Sequence, residues 1–294
     1  MRRPASRRSS DLNAGRIRSC GAGWLLAGLL AGGTAPDSAA IGPLAAGTGP
    51  RVPASCPGGD FTTRVEGLEH CLVMARYGAD HPRTLVVWLH DDLPGSGPAD
   101  YHLTLARETA RRFAEQGVMS VALLRPGYPD AQGARSGGEH LGRSDHYTLP
   151  IADEIAAAIE RLRARFDPAT VIAVGHGGGA AMAAIVLGRH PRLLDGAVLV
   201  GCPCDLVLWR MGRRYWGRSQ DPVRWTGTVR REARVMALTG ERDSRTTPEL
   251  AQSYVELLQA RGVDARFRMI AQADHETAAR SPQVQTAIGQ LIGR

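Results

Sequence analysis

Short apolar runs that alternate with helical periodicity constrain this chain more than any other feature. Residues 84–89 (TLVVWL), 118–124 (VMSVALL), 170–174 (TVIAV), 196–200 (GAVLV) and 235–239 (VMALT) are almost continuously apolar. Runs of that length suit strands buried on both faces, as parallel strands are. A last strand is expected at 267–270 (FRMI). Helical stretches lie between the runs. Residues 103–116 stop at Gly117, and Ile151, Ile155, Ile159 and Leu162 repeat at helical spacing. Residues 178–187 are alanine-rich, 249–260 end near Gly262, and 283–292 form the last periodic segment. Two shorter strands, 61–65 and 71–77, come first and are close enough to pair as a hairpin. The fold class that follows is α/β: a mostly parallel central sheet with helices on both faces. Ligands bind such sheets at the carboxyl ends of the strands, so the loops after each strand are where chemistry is expected.

The remaining segments set the domain limits. Residues 1–40 hold Arg2, Arg3, Arg7, Arg8, Arg16 and Arg18, then an apolar stretch at 21–33, then Ser38, Ala39 and Ala40. That is the layout of a secretory signal peptide. The apolar stretch is short and glycine-rich for a membrane span, and an uncleaved anchor is the alternative. A periplasmic or secreted protein with no stable span after cleavage is therefore expected. Residues 41–60 read as a linker and 61–294 as the α/β domain. Within that domain 201–230 interrupts the alternation. It carries Trp209, Trp216, Trp225 and six arginines, and reads either as a small cap insertion over the site or as a packed surface excursion.

Export changes how the cysteines read. Cys20 leaves with the signal, and Cys56 and Cys71, flanking a Pro-Gly-Gly turn, are the expected disulfide. Cys202 and Cys204 could be bridged or free. No second Cys-rich element completes a zinc set, so no metal is expected, and no cofactor.

All 36 basic residues are arginine. A chain without lysine cannot build a Ser-Lys dyad, a Schiff base or a Walker-A phosphate contact. The net charge of +7 is not evidence for nucleic acid either, because residues 1–40 carry +4 of it. A small-molecule ligand is expected, and a monomer or weak dimer.

Three loops hold the candidate chemistry. Strand 170–174 runs through Gly175, His176, Gly177, Gly178 and Gly179 straight into a helix. Strand, Gly-x-X-x-Gly, helix is a nucleophile elbow: the central residue stands over the helix N-terminus and the next N–H, here that of Gly178, helps hold an oxyanion. Asp243 follows the strand 235–239, 66 residues after Gly177, and His275 follows the last strand, 32 residues after Asp243. Elbow, acid, histidine is the chain order of the α/β-hydrolase triad.

At these residues the chain resembles the α/β-hydrolases, nearest to the dienelactone-hydrolase and prolyl-oligopeptidase-like serine hydrolases. The resemblance covers about residues 60–290. It rests on VIAVGHGGGAAMAA at the elbow, LVVWLHDD after the third strand, RPGY at 125–128, and the loops of Asp243 and His275. It implies the α/β-hydrolase fold and an esterase or peptidase ancestry acting on ester-like or peptide-like small molecules. Asp243 would orient His275, and His275 would act as general base. A second oxyanion donor would come from the turn after Leu89, at Asp91. His90, His176, Tyr128 and Trp209 are the candidate pocket residues, with His90 ordering the turn.

Position 177 departs from the pattern. Gly177 has no Oγ and cannot be acylated, and removing a triad's nucleophile costs on the order of 10⁶-fold in turnover. Asp91 stands where the family commonly has glycine, and a carboxylate there would repel a developing oxyanion unless it points away. The expectation is a strongly impaired hydrolase, with His275 activating water at best, or a non-catalytic ligand-binding protein on the same fold. Ser136, Ser144 and Ser244 lie on no strand-to-helix turn. A third reading is dinucleotide binding: Gly175, Gly177 and Ala180 fit G-x-G-x-x-[G/A], with Asp205 on a ribose, but Asp243 and His275 are then unexplained. His140 and His146, with Glu139 and Asp145, either line a pocket or are solvated loop residues.

Overall fold

The computed structural model describes residue 56 and residues 59–93, 97–142, 146–211 and 217–292. The expected signal segment, most of the linker, Ser144, Asp145 and Trp216 lie outside the described residues.

Among the described residues eight strands form one sheet: β1 (Arg64–Glu66), β2 (Cys71–Gly78), β3 (Thr84–Leu89), β4 (Val118–Leu123), β5 (Thr170–His176), β6 (Gly196–Val200), β7 (Arg234–Gly240) and β8 (Asp264–Ile270). Their order is β1-β2-β4-β3-β5-β6-β7-β8. The β1–β2 and β2–β4 pairings are antiparallel and all the others parallel. The expected hairpin is therefore present but starts later. Asp60 closes a turn ahead of it, its Oδ1 accepting the N–H groups of Thr62 and Thr63 at 2.8 Å. Strand β8 starts earlier than the apolar run at 267–270 suggests. Asp264, Arg266 and Arg268 are exposed, alternating with buried Ala265 and half-buried Phe267, a pattern typical of an edge strand and invisible to a search for continuous apolar runs.

The helices are α1 (Tyr101–Arg112), α2 (Leu149–Phe166), α3 (Gly178–Arg189), α4 (Leu206–Trp209), α5 (Pro248–Gln259), α6 (His275–Ala278) and α7 (Pro282–Ile292). The helix expected at 103–116 splits into α1 and a 3-10 turn, Ala114–Gln116, that ends on Gly117 at φ 66°. Strand β3 shows how the sheet separates two cores. Leu85, Val87 and Leu89 join the α2, α3 and α5 side with Ile155, Ile159, Ala183 and Tyr254. Val86 and Trp88 join the α1 and α7 side with Ala106, Val284 and Ile288. The two-residue period of a strand sends alternate side chains to opposite faces, and each fully buried Leu or Val contributes about 1.5–3 kcal/mol.

Among the described residues two disulfides are present. Cys56 is bonded to Cys71 at the start of β2, as expected. Cys202 and Cys204 are also bonded to each other, around Pro203 at the carboxyl end of β6. Of the segment 201–230, residues 201–211 and 217–230 are described; they include α4 and a 3-10 stretch, Pro222–Thr228, whose Trp225 packs against the core beside α3. Trp209 instead reaches the rim of the site, its Nε1–H donating to the Arg245 carbonyl. Among the described residues no helix is long and apolar enough to cross a membrane.

Candidate active site

Strand β5 turns into α3 through Gly177 at φ 51°, ψ −118°. A residue with a side chain adopts that conformation only under strain of about 1–3 kcal/mol, so the backbone keeps the sharp elbow while glycine carries it without cost.

The loop after β7 brings Asp243 to the site and the turn into α6 brings His275. Asp243 is anchored by its Oδ1, which accepts the N–H groups of Arg245 (3.0 Å) and Thr246 (2.8 Å). Its Oδ2 accepts the Thr246 hydroxyl (2.8 Å) and lies 2.8 Å from His275 Nδ1. Asp274 caps α6 and sets the direction in which His275 leaves the backbone. On its other edge, His275 Nε2 lies 3.1 Å from Asp91 Oδ2. Ionised carboxylates can only accept, so both ring nitrogens of His275 carry protons and the ring is an imidazolium. Burial opposes that charge, but the hydrogen bonds and charges of Asp243 and Asp91 outweigh it and lift the His275 pKa to about 9. Burial likewise pushes Asp91 up, and His275, His176 and Arg245 together pull it below the usual carboxylate range. Asp243 is also lowered: its burial is outweighed by the bond to His275.

Asp91 does not point away from the elbow. Its Oδ1 accepts the Gly178 N–H at 2.8 Å, and its Oδ2 lies 3.3 Å from the Arg245 guanidinium. A Cβ built on Gly177 would stand 1.7 Å from Asp91 Oδ1. The carboxylate thus fills the space of the missing side chain. The expected oxyanion pair, Gly178 and Asp91, is corrected accordingly. The Gly178 N–H faces the Asp91 carboxylate, and the Asp91 N–H donates to the Tyr101 hydroxyl at 2.8 Å, so neither donor is open.

Buried hydrogen bonds hold this arrangement. The Tyr101 hydroxyl lies 2.7 Å from His176 Nδ1, and His176 Nε2 lies 2.9 Å from the His275 carbonyl. A carbonyl can only accept, so Nε2 carries the His176 proton. Burial keeps that ring neutral by lowering its pKa, which leaves Nδ1 to accept from Tyr101. Asp92 makes a parallel contact one residue on. It pairs with Arg125 at 2.8 Å, accepts the Tyr147 hydroxyl at 2.6 Å, and lies 2.3 Å from where a Cβ on Gly178 would stand. Tyr101, Asp92, Tyr147 and Arg245 were not singled out from the sequence. The one available signal was the juxtaposition of two acids after β3 with two glycines after β5.

The candidate pocket residues are packing residues here. His90 is fully buried, its Nδ1 2.8 Å from the Asp91 carbonyl and its Nε2 accepting the Arg125 N–H at 3.0 Å. Tyr128 is buried against His90, with ring centroids 4.5 Å apart. His176 is committed to the network above. None of these, nor Trp209, lines the groove of about 840 Å³ that opens elsewhere, between the 68–70 turn, Pro126, the 138–141 loop, the start of α2, Arg218 and Gln220. Glu139 is on that groove, and His140 packs on the Tyr128 ring. Ser136 is buried, its hydroxyl donating to the Leu124 carbonyl and accepting the Val73 N–H.

Asp91, His176 and His275 bring ligand atoms within 4.8 Å of one another, the residue types of a metal site. Both His176 nitrogens are already engaged and the Arg245 cation lies on Asp91, so the grouping does not fit an ion. Dinucleotide binding fits no better. A pyrophosphate at the N-terminus of α3 would meet the Asp91 carboxylate, and Asp205 is occupied capping α4 through the Leu208 N–H.

Fold and site together define an α/β-hydrolase-type protein. The chain belongs to the prolyl oligopeptidase family, whose sequence profile matches residues 139–290. Solved structures share the fold at low identity. TT1662 from Thermus thermophilus is 16% identical at a TM-score of 0.61, over 79% of this chain and 98% of that one. Est1E from Butyrivibrio proteoclasticus, solved with ferulic acid bound, is 13% identical at 0.58, over 79% and 99%. The acylaminoacyl peptidase of Pyrococcus horikoshii is 11% identical at 0.56, over 77% of this chain and 39% of that one. No curated protein matches the sequence.

Proposed function

We propose that this is an exported protein of esterase or peptidase ancestry in which serine-type acyl transfer is absent from the chain as it stands. The observation that carries this reading is the 1.7 Å between Asp91 Oδ1 and a Cβ on Gly177. The position of the nucleophile is not merely empty; a carboxylate fills it and also takes the Gly178 N–H. The doubly paired His275 supports the same reading, since an imidazolium cannot accept a proton from an attacking hydroxyl.

Fluorophosphonate labelling and aryl-ester hydrolysis test it on four proteins: the unaltered chain, Gly177→Ser, Asp91→Gly and the double variant. Only the double variant is expected to label, because a serine introduced at the elbow on its own would collide with Asp91. Labelling of the unaltered chain would show that another serine is the nucleophile. Export is tested separately by N-terminal sequencing of the mature protein, with cleavage expected near Ala40.

A second reading, a non-catalytic receptor for a small ester-like or peptide-like ligand, is favoured by the 840 Å³ groove, which lies within the size range of small-molecule sites. Saturable binding of such ligands that is lost on substituting Leu141 and Ile151, and kept in Asp91→Asn, would support it. Binding insensitive to both groove substitutions would remove it.

A further inference from the structure

We propose that the groove between the 68–70 turn and the start of α2 is a binding site for primary amines that carry an apolar body, such as arylalkyl amines. The inference rests on the second reading above, that the groove takes a small molecule, and adds the chemistry that decides which one.

Size and walls set the body of the ligand. A volume of about 840 Å³ suits an organic molecule rather than a lone ion. Leu68, Leu141 and Ile151 are among the walls, and Leu68 is 53% exposed. Covering such walls removes them from water, which favours a ligand whose body is itself apolar.

The polar lining selects the head group. Four acids line the groove, Glu69, Glu139, Asp153 and Glu154, against one arginine, Arg218. The chain as a whole has 36 basic residues and 29 acidic ones, so the balance is reversed here. Two of the acids are engaged within the protein. Asp153 pairs with Arg189 at 2.7 Å and with His190 at 2.9 Å, and Glu154 holds the 68–70 turn. Glu139 is exposed on the groove, where its carboxylate can turn to a ligand cation. His70 adds an acceptor. Its Nδ1 lies 2.8 Å from Glu154 Oε1. A carboxylate only accepts, so in the neutral ring Nδ1 carries the proton and Nε2 keeps a lone pair. The ring is 39% exposed and lines the groove. A primary ammonium offers three N–H donors to such acceptors, and a quaternary ammonium offers none. A ligand carboxylate would instead meet Glu69 and Glu139. None of these residues belongs to the network around Asp91 and His275, so the site stands apart from the triad positions.

Isothermal titration calorimetry on the full mature chain tests this with probes that share one body: 4-phenylbutylamine, its trimethylammonium analogue, 4-phenylbutan-1-ol and 4-phenylbutyrate. The primary amine is expected to bind at a single site, at least about tenfold tighter than the alcohol or the trimethylammonium, the usual worth of a hydrogen bond to a charged group. The butyrate should be the weakest. Added salt should weaken the amine and leave the alcohol unchanged. Glu139→Arg should reverse the order, the butyrate then binding more tightly than the amine. Equal affinity for the amine and the alcohol would overturn the proposal and leave a receptor for neutral ligands in place. An order unchanged by Glu139→Arg would overturn it too, by placing the amine elsewhere. Absence of binding by all the probes would remove the proposal and the receptor reading together. If Glu139→Arg does not fold, the probe series on the unaltered chain still decides.

Discussion

Asp91 and Gly177 share one volume: the carboxylate of the first stands where the side chain of the second would be, 1.7 Å from its Cβ position. The two residues are therefore coupled. Gly177→Ala should destabilise the fold by at least about 2 kcal/mol, from the strained backbone and the collision together. Asp91→Gly in the same chain should recover part of that loss. A double-mutant cycle from urea unfolding is expected to give a coupling of about 1–3 kcal/mol. Additive values would mean that the two residues do not compete for space.

His275 makes stability depend on pH in a definite direction. Its pKa rises from an ordinary value near 6.5 to about 9 on folding, so its contribution is full below about 6.5 and is lost as pH rises through 9. A shift of that size is worth on the order of 3 kcal/mol. Asp91 and Asp243 are lowered on folding, so their contribution is present above about 4 and is lost as pH falls. Urea midpoints should rise toward about pH 6.5, because burial holds the His90 and His176 rings neutral in the fold while they take up protons when unfolded, and should decline from there toward pH 9. In His275→Gln the decline above pH 6.5 should flatten. An unchanged alkaline slope in that variant would place its origin elsewhere.

Glu154, buried on α2, holds the turn before β2. Its two oxygens accept the N–H groups of Leu68 and Glu69 at 2.8 Å and bond His70 Nδ1 at 2.8 Å. Glu154→Ala removes these hydrogen bonds to the turn and should cost about 1–3 kcal/mol. Glu154→Gln keeps one acceptor oxygen and should cost less. Equal losses in the two variants would show that packing, not hydrogen bonding, is what Glu154 supplies.

The Cys56–Cys71 bond joins residues 15 apart. Closing a loop of that length restricts the unfolded chain by about 3 kcal/mol, so the Cys56→Ser/Cys71→Ser variant should unfold at correspondingly lower urea. A loss under about 1 kcal/mol would indicate that the unfolded chain is already compact there.

The central strands and the elbow were legible because both are local. Residues 84–89 form β3 with the bounds read from the sequence, and five consecutive residues, 175–179, suffice to specify the turn. The edges were less legible. Strand β8 exposes Asp264, Arg266, Arg268 and Met269, so its apolar content falls below what a run-based reading detects. The short helix α6 was missed for a similar reason. Four residues carry too little periodicity, and only its capping pair, Asp274 and Thr277, marks it.

From the sequence alone came the strand–helix alternation, the place and order of Gly177, Asp243 and His275, and the absence of a serine at the elbow. Burial patterns and glycine turns are written in neighbouring residues, which is why these can be read without a structure. Only the tertiary structure decided what fills the space beside Gly177. Gly178 lies 87 positions from Asp91, and His275 lies 184 from Asp91 and 32 from Asp243. Whether a carboxylate repels a site or fills it, and whether a histidine is a base or an acid, depends on distances of about 3 Å through space, the length of a hydrogen bond. Separation along the chain does not encode them.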